Sequence, residues 1–212
     1  MIKHVKPQDI EAKSFEIIAA ELAEMGIALD PEKDRIIRRA IHTSADFDYA
    51  HTLCFSDGAV SAARKLIRGG ADIVTDTNMA LTGINKKRLA GYGGGVRCYM
   101  ADEDVAAEAK ERGVTRASVS MERAAADAMA SGRKTIFAIG NAPTALITLR
   151  EMYDEGRFKP DFVIGVPVGF VNVVEAKELI LETDIPYIIN RGRKGGSNVA
   201  AAIVNALLYS ME

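Results

Sequence analysis

Three short apolar runs each give way to a helix-forming segment, and that recurrence constrains the fold more than any other feature of the chain. KTIFAIGN (134 to 141) leads into APTALITLREMY, DFVIGVPVGF (161 to 170) into NVVEAKELILE, and IPYIIN (185 to 190) into GSNVAAAIVNALLY. A strand with one wet face alternates apolar and polar residues. These runs are largely apolar, as a strand buried on both faces requires. Parallel strands flanked by helices follow, so the expected fold is α/β: a three-layer α/β/α sandwich with a predominantly parallel central sheet. Ligands of such sheets bind in the crevice outside the carboxyl ends of the strands. Thr75, Asp76, Asn78, Asn141, Thr144, Asn190 and Arg191 fall near those ends.

The N-terminal half is more helical. Residues 9 to 25 predict a helix with Ile10, Phe15, Ile18 and Leu22 near one face and Gly26 as its stop. Asp30 is placed to cap a second helix with Pro31 in its first turn. That helix buries Ile37, Ala40 and Ile41 and sets Arg38 and His42, four apart, on a neighbouring face. A helix over 57 to 68, a strand within GGADIVTDT, glycine-broken helical turns and an extended VRCYM come next. Helices then follow in DEDVAAEAKERG and RASVSMERAAADAMASG, where Met121 and Met129 are expected in the core. No proline-rich linker or low-complexity block divides the 212 residues, so a single domain spanning 1–212 is expected.

The chain is 48% hydrophobic with a formal charge of -2, which disfavours both disorder and a broad basic surface for nucleic acid. No apolar run approaches the roughly 20 residues that cross a bilayer, and the charged start MIKHVKPQDIEAKSF does not read as a signal peptide. Cys54 and Cys98 are too few and too far apart for a disulfide framework or a metal cluster, and are expected to be reduced and buried in a cytoplasmic protein. There is no HExxH, no clustered cysteine site and no GxSxG. Asp72, Asp76, Asp102 and Asp104 are read as helix caps and solvated surface acids rather than metal ligands.

Among groups able to do chemistry, His42 is the sharpest acid-base candidate, since histidine exchanges a proton near neutral pH without an extreme environment. The alternative is a solvent-facing or merely hydrogen-bonded helix residue. Asp46 or Asp48 is placed to bias its protonation; His51 is the runner-up, and His4 reads as a terminal surface residue. NRGRKGGSNVAAAIVNAL (190 to 207) joins a strand to a helix, carries Arg191, Arg193 and Lys194, and offers Ser197 as a cap. It is either an anion site at a helix N-terminus or a charged turn. GYGGGVR (91 to 97) lacks both GxGxxG and the phosphate loop, and is either a plain turn or an anion-contacting loop with Arg97.

IEAKSFEII (10 to 18), RRAIHTSADFD (38 to 48), GNAPTAL (140 to 146), KPDFVIGVPVGFV (159 to 171) and GRKGGSNVAAAIVNALL (192 to 208) together resemble the precorrin-8X methylmutase family, including its cobalt-containing branch. The resemblance runs over nearly the whole chain in a common order, and makes 1–212 a single precorrin methylmutase domain. It implies an isomerase of corrinoid (cobalamin) biosynthesis that moves a methyl group from C11 to C12 of precorrin-8X or cobalt-precorrin-8, giving hydrogenobyrinate or its cobalt-containing counterpart, cobyrinate. It places the family histidine on His42, as a buried imidazole that protonates or hydrogen-bonds the macrocycle, and makes Ser14, Thr43, Arg116, Arg191, Arg193 and Lys194 candidate substrate contacts. It implies no cofactor and no protein-bound metal, with cobalt, where present, part of the substrate. The implied assembly is a homodimer with the site near the subunit interface, with no nucleic-acid or membrane partner. A non-catalytic corrinoid-binding carrier is the competing reading.

Overall fold

The computed structural model describes residue 6 and residues 9–211. Helices α1 (Ile10–Glu24), α2 (Asp34–Ser44) and the single turn α3 (Tyr49–Thr52) precede strand β1 (Leu53–Phe55). Helix α4 (Ala59–Arg68), β2 (Asp72–Thr75), the short helices α5 (Asn78–Gly83) and α6 (Lys86–Ala90), and β3 (Val96–Arg97) come next. Then follow α7 (Glu103–Arg112), α8 (Arg116–Ser131), β4 (Thr135–Ile139), α9 (Pro143–Asp154), β5 (Phe162–Gly165), α10 (Val173–Leu181), β6 (Tyr187–Asn190) and α11 (Ser197–Tyr209).

The six strands lie in the order β1-β6-β5-β4-β2-β3, parallel except for the β1–β6 pair. The apolar runs are buried on both faces as expected. In β4, Ile136 and Ala138 join one core with α1, α2, α4 and α11, while Phe137 and Ile139 join the other with α7, α8, α9 and α10. Successive strand side chains point to opposite faces, so a continuous apolar strand feeds two cores and the sheet becomes the middle of three layers. Phe137 and Phe162 are fully buried, each contributing about 1.5–3 kcal/mol over an exposed position.

Chain order puts the ligand crevice at one place. From β2 the chain moves outward to β3, then returns to β4 on the other side of β2 and continues to β5 and β6. The helices after β2 pack in one layer and α9 after β4 in the other, so connections diverge between β2 and β4 and leave a gap at their carboxyl ends. Backbone approach there is close. A Cβ on Gly140 would lie 2.6 Å from Ser197 Cα, and one on Gly195 would lie 2.0 Å from the Val166 carbonyl oxygen.

Some local expectations are corrected. Pro31 lies in a turn before α2 rather than in its first turn: the Asp30 carbonyl accepts from Lys33 and Asp34, and its side chain accepts from Glu32. Ile10 is 52% and Met129 58% exposed, so neither is core. Strand β1 had no periodic signal because three residues are too few to show one, and its place comes from antiparallel pairing with β6.

Candidate active site

The switch point is organised by Asp76. It follows β2, is fully buried, and accepts amide hydrogens from Gly140 at 2.8 Å, Asn141 at 2.8 Å and Ala142 at 2.6 Å. The solvated surface acid expected at this position is therefore wrong: the carboxylate is a fixed acceptor joining the ends of β2 and β4. Burial pushes its pKa up from the ordinary carboxylate range, and the amide bonds from Gly140, Ala142 and Asn141 oppose that. The next residue, Thr77, accepts from the Ala80 amide to cap α5 and meets the Ser197 hydroxyl at 2.8 Å. Ser197 is thus the first residue of α11 rather than its cap, and its hydroxyl ties α11 to β2.

His42 projects from the last turn of α2. Its ring stacks on Phe15 of α1, with centroids 5.2 Å apart and planes 12° from parallel. The imidazole is exposed, not buried, in the isolated chain. With Thr43 it lines a cavity of about 330 Å³ walled by Arg39, Met79, Asn198 and Tyr209. The Arg39 guanidinium lies over the rings of Phe15 at 4.8 Å and Tyr209 at 5.5 Å and pairs with Glu11, making a flat cationic wall beside the histidine. The Thr43 carbonyl accepts from the Asn198 side chain at 3.4 Å, which joins the histidine turn to the start of α11.

Neither Asp46 nor Asp48 serves His42. Both pair with Lys194, Asp46 at 2.6 Å, and their carboxylates hold the ammonium pKa above the ordinary lysine range. Two carboxylates around one ammonium leave this trio net negative, so Lys194 is a weaker carboxylate clamp than the sequence suggests. Arg191 pairs with Glu178 at 3.1 Å, while Arg193 lies 5.5 Å over the Phe170 ring, which is 83% exposed. Arg116 opens α8 and is exposed; the cap before it, Thr115, meets Thr144 of α9 at 2.9 Å. Arg116 therefore sits on the same side of the sheet as the crevice, in the layer opposite α2. Ser14 donates its hydroxyl to the Ile10 carbonyl at 2.9 Å, the local alternative for that residue. His51 is exposed on α3, and His4 lies outside the described residues.

GYGGGVR lies at the other end of the sheet. The Gly95 amide is bound by Asp72 at the start of β2, and Arg133 clamps the same carboxylate, so the loop is a structural turn held by an acid. Arg97 stacks on Tyr99 at 4.4 Å. An anion-contacting role for this segment is not supported.

The CbiC precorrin-8X methylmutase family model matches residues 9–210. The chain belongs to the precorrin-8X methylmutase family. It is 45% identical over 203 residues to the cobalt-precorrin-8 methylmutase of Priestia megaterium, covering 96% of this chain and 88% of that one. It is 40% identical to the precorrin-8X methylmutase of Pseudomonas aeruginosa over the full length of both. The precorrin-8x methyl mutase crystal structure from Thermus thermophilus superposes with a TM-score of 0.83 at 38% identity, covering 95% of this chain and 96% of that one.

Several features of the methylmutase site are made by contacts distant in sequence. Asp76 was visible as a strand-end acid, but its three partners lie 64 to 66 residues away. Arg39 carried no signal of its own in the sequence, and only the Phe15 and Tyr209 rings reveal it as a wall. Burial raises the pKa of the Cys54 and Cys98 thiols, so neither is a ready nucleophile. Among the described residues no group of three His, Cys, Asp or Glu side chains is arranged to hold a metal, and no helix is long and apolar enough to cross a membrane.

Proposed function

We propose that this chain is a precorrin-8X or cobalt-precorrin-8 methylmutase in which His42 assists migration of the C11 methyl group to C12. The observation that carries the reading is the position of His42: exposed on the rim of a cavity, stacked on an aromatic ring, and joined through Thr43 and Asn198 to the helix that follows the basic loop. The bond from methyl to C11 breaks as the bond to C12 forms, so substrate and product share one composition and no methyl donor, nicotinamide or flavin is consumed. A proton or hydrogen bond from the imidazole to the conjugated ring draws electron density away from the migrating centre and is returned when the product forms. The product is hydrogenobyrinate or, when the substrate carries cobalt, cobyrinate.

A contracted tetrapyrrole with its acid side chains exceeds drug size, and even drug-sized ligands occupy pockets of roughly 300–1,000 Å³. The cavity at His42, about 330 Å³, is too small to enclose it. Exposed Met79 on α5 and exposed Phe170 and Val171 on the loop between β5 and α10 supply apolar surface that a second copy can complete, which supports a homodimer with the site near its interface. Sedimentation as a monomer at micromolar concentration would remove that part of the reading.

Incubation of purified protein with the metal-free and the cobalt-containing precursor, with NMR identification of the product, tests the reaction. Methyl at C12 is the expected outcome. Tight binding with methyl retained at C11 would leave only a carrier.

The rim cations are expected to rank by their existing partners. Arg116 and Arg193 form no ion pair among the described residues, so each alanine substitution should weaken product affinity by about 10-fold, the loss of one charge-assisted contact. Arg191→Ala should cost less, about 3-fold, because Glu178 already shares its charge. Calorimetric titration checks the order, and equal losses at all three positions would refute it.

A further inference from the structure

Helix α10 carries a buried stripe at Val173, Ala176, Lys177 and Ile180, the i, i+3, i+4, i+7 spacing of a core-facing surface. Lysine at the third of those positions is anomalous, and the side chain is fully buried. Among the described residues no carboxylate pairs with it. Its ammonium donates to the main-chain carbonyls of Gly192 at 2.7 Å and Lys194 at 2.9 Å. Burial alone pushes its pKa down, to about 8, which still leaves the ammonium as the prevailing form at neutral pH.

Both acceptors belong to the loop that carries the basic residues, and the rest of that loop follows the same rule. Asn190, itself fixed by the Thr52 hydroxyl at 2.7 Å, donates to the carbonyls of Arg191 at 3.2 Å and Lys194 at 2.9 Å. The Gly169 amide donates to the Arg193 carbonyl at 3.2 Å. Four consecutive carbonyls, 191 to 194, are thereby drawn to donors of the protein, while the side chains of Arg191, Arg193 and Lys194 are exposed. Turning the carbonyls inward also removes their negative ends from the surface an anion would meet.

We propose that Lys177 is a positioning residue for substrate: it anchors the 191–196 loop with its carbonyls inward, so that the loop presents cations to the carboxylates of the ligand. This rests on the reading above that the loop faces an acidic tetrapyrrole. Lys177 touches no substrate and acts through Arg193 and its neighbours, which sets a signature that a general packing role lacks.

Lys177→Met keeps the length and apolar stem but removes the donor; Lys177→Gln keeps a shorter, neutral donor. Affinity for hydrogenobyrinic acid is measured by calorimetry, and kcat and KM on precursor, for wild type, both variants, Arg193→Ala and the Lys177→Met/Arg193→Ala double variant. Lys177→Met is expected to weaken affinity by about 10-fold, with KM rising and kcat within about 3-fold of wild type, the mark of lost uniform binding. Lys177→Gln should recover part of that loss. In the Arg193→Ala background the effect should shrink to about 3-fold or less, because coupled residues are not additive. Unchanged affinity, fully additive losses, or a fall in kcat at constant KM would each overturn the proposal. If Lys177→Met does not fold, Lys177→Gln with and without Arg193→Ala decides by the same criteria. Wild type that fails to bind the tetrapyrrole removes the functional reading and this inference with it; wild type that binds normally beside an unaffected variant removes only the inference.

Discussion

Replacing His42 with alanine is expected to slow single-turnover methyl migration by about 10²–10⁴-fold, the range a positioned general acid supplies, or about 2.7–5.5 kcal/mol of barrier. Substrate affinity should change far less, because the ring sits at the cavity rim and the apolar wall and rim cations remain. The substitution also removes the stack on Phe15, so a stability loss of about 0.5–1.5 kcal/mol accompanies it and must be subtracted by working well below the melting transition. A second substitution separates the two forms of assistance. His42→Gln retains an N–H donor but transfers no proton at accessible pH. If a hydrogen bond to the macrocycle suffices, the glutamine variant recovers a large part of the rate; if a proton must be transferred, it stays near the alanine variant. Turnover by His42→Ala equal to wild type, with folding and binding intact, would take His42 out of the chemistry.

The sheet was legible because its strands obey a local rule. A run such as TIFAI in β4 is apolar at every position except its first, and no other simple arrangement than burial between two helical layers accounts for that in five residues. Helices α9, α10 and α11 follow their strands at the expected places for the same reason. Strand β1 carries no such rule: Leu53, Cys54 and Phe55 pair with β6 across more than 130 residues, and the sequence holds no trace of that partner. The site divides along the same line. His42 stood out by its residue type and its setting in RRAIHTSAD near the end of α2, but neither its cavity nor its exposure could be read there. Its electrostatics did not follow, since Asp46 and Asp48, next to it in sequence, turn to Lys194 instead. Lys177 shows a sequence signal that was available and unused: a charged residue on the buried stripe of an amphipathic helix needs acceptors, and a glycine-rich loop is a natural source of free carbonyls.

Asp76→Ala is expected to destabilise the protein by about 2–4 kcal/mol, a loss set by which amides are left without an acceptor. The Gly140 amide is buried and would be left unpaired at about 1–3 kcal/mol; Asn141 is exposed and Ala142 half-buried, so their amides can turn to water and lose only about 1 kcal/mol each of charge-assisted bonding. Removing the carboxylate also relieves its own burial, which offsets part of the loss. For a chain of this size the net change lowers Tm by roughly 5–15 °C. Asp76→Asn should fall between wild type and alanine, since its carbonyl can serve one set of amides while its NH₂ group confronts the other. The consequence for catalysis reaches further than the melting point. Asp76 fixes the 140–142 turn that starts α9, and α9 holds Thr115, next to Arg116, through Thr144; Thr77, the following residue, holds Ser197 at the start of α11, whose next residue, Asn198, reaches the histidine turn. One buried carboxylate thus sets the spacing between the two helical layers where they meet the crevice, and its loss should raise KM at temperatures where the variant is still fully folded. Thermal denaturation within about 1 kcal/mol of wild type for Asp76→Ala would show that the turn holds itself without the carboxylate.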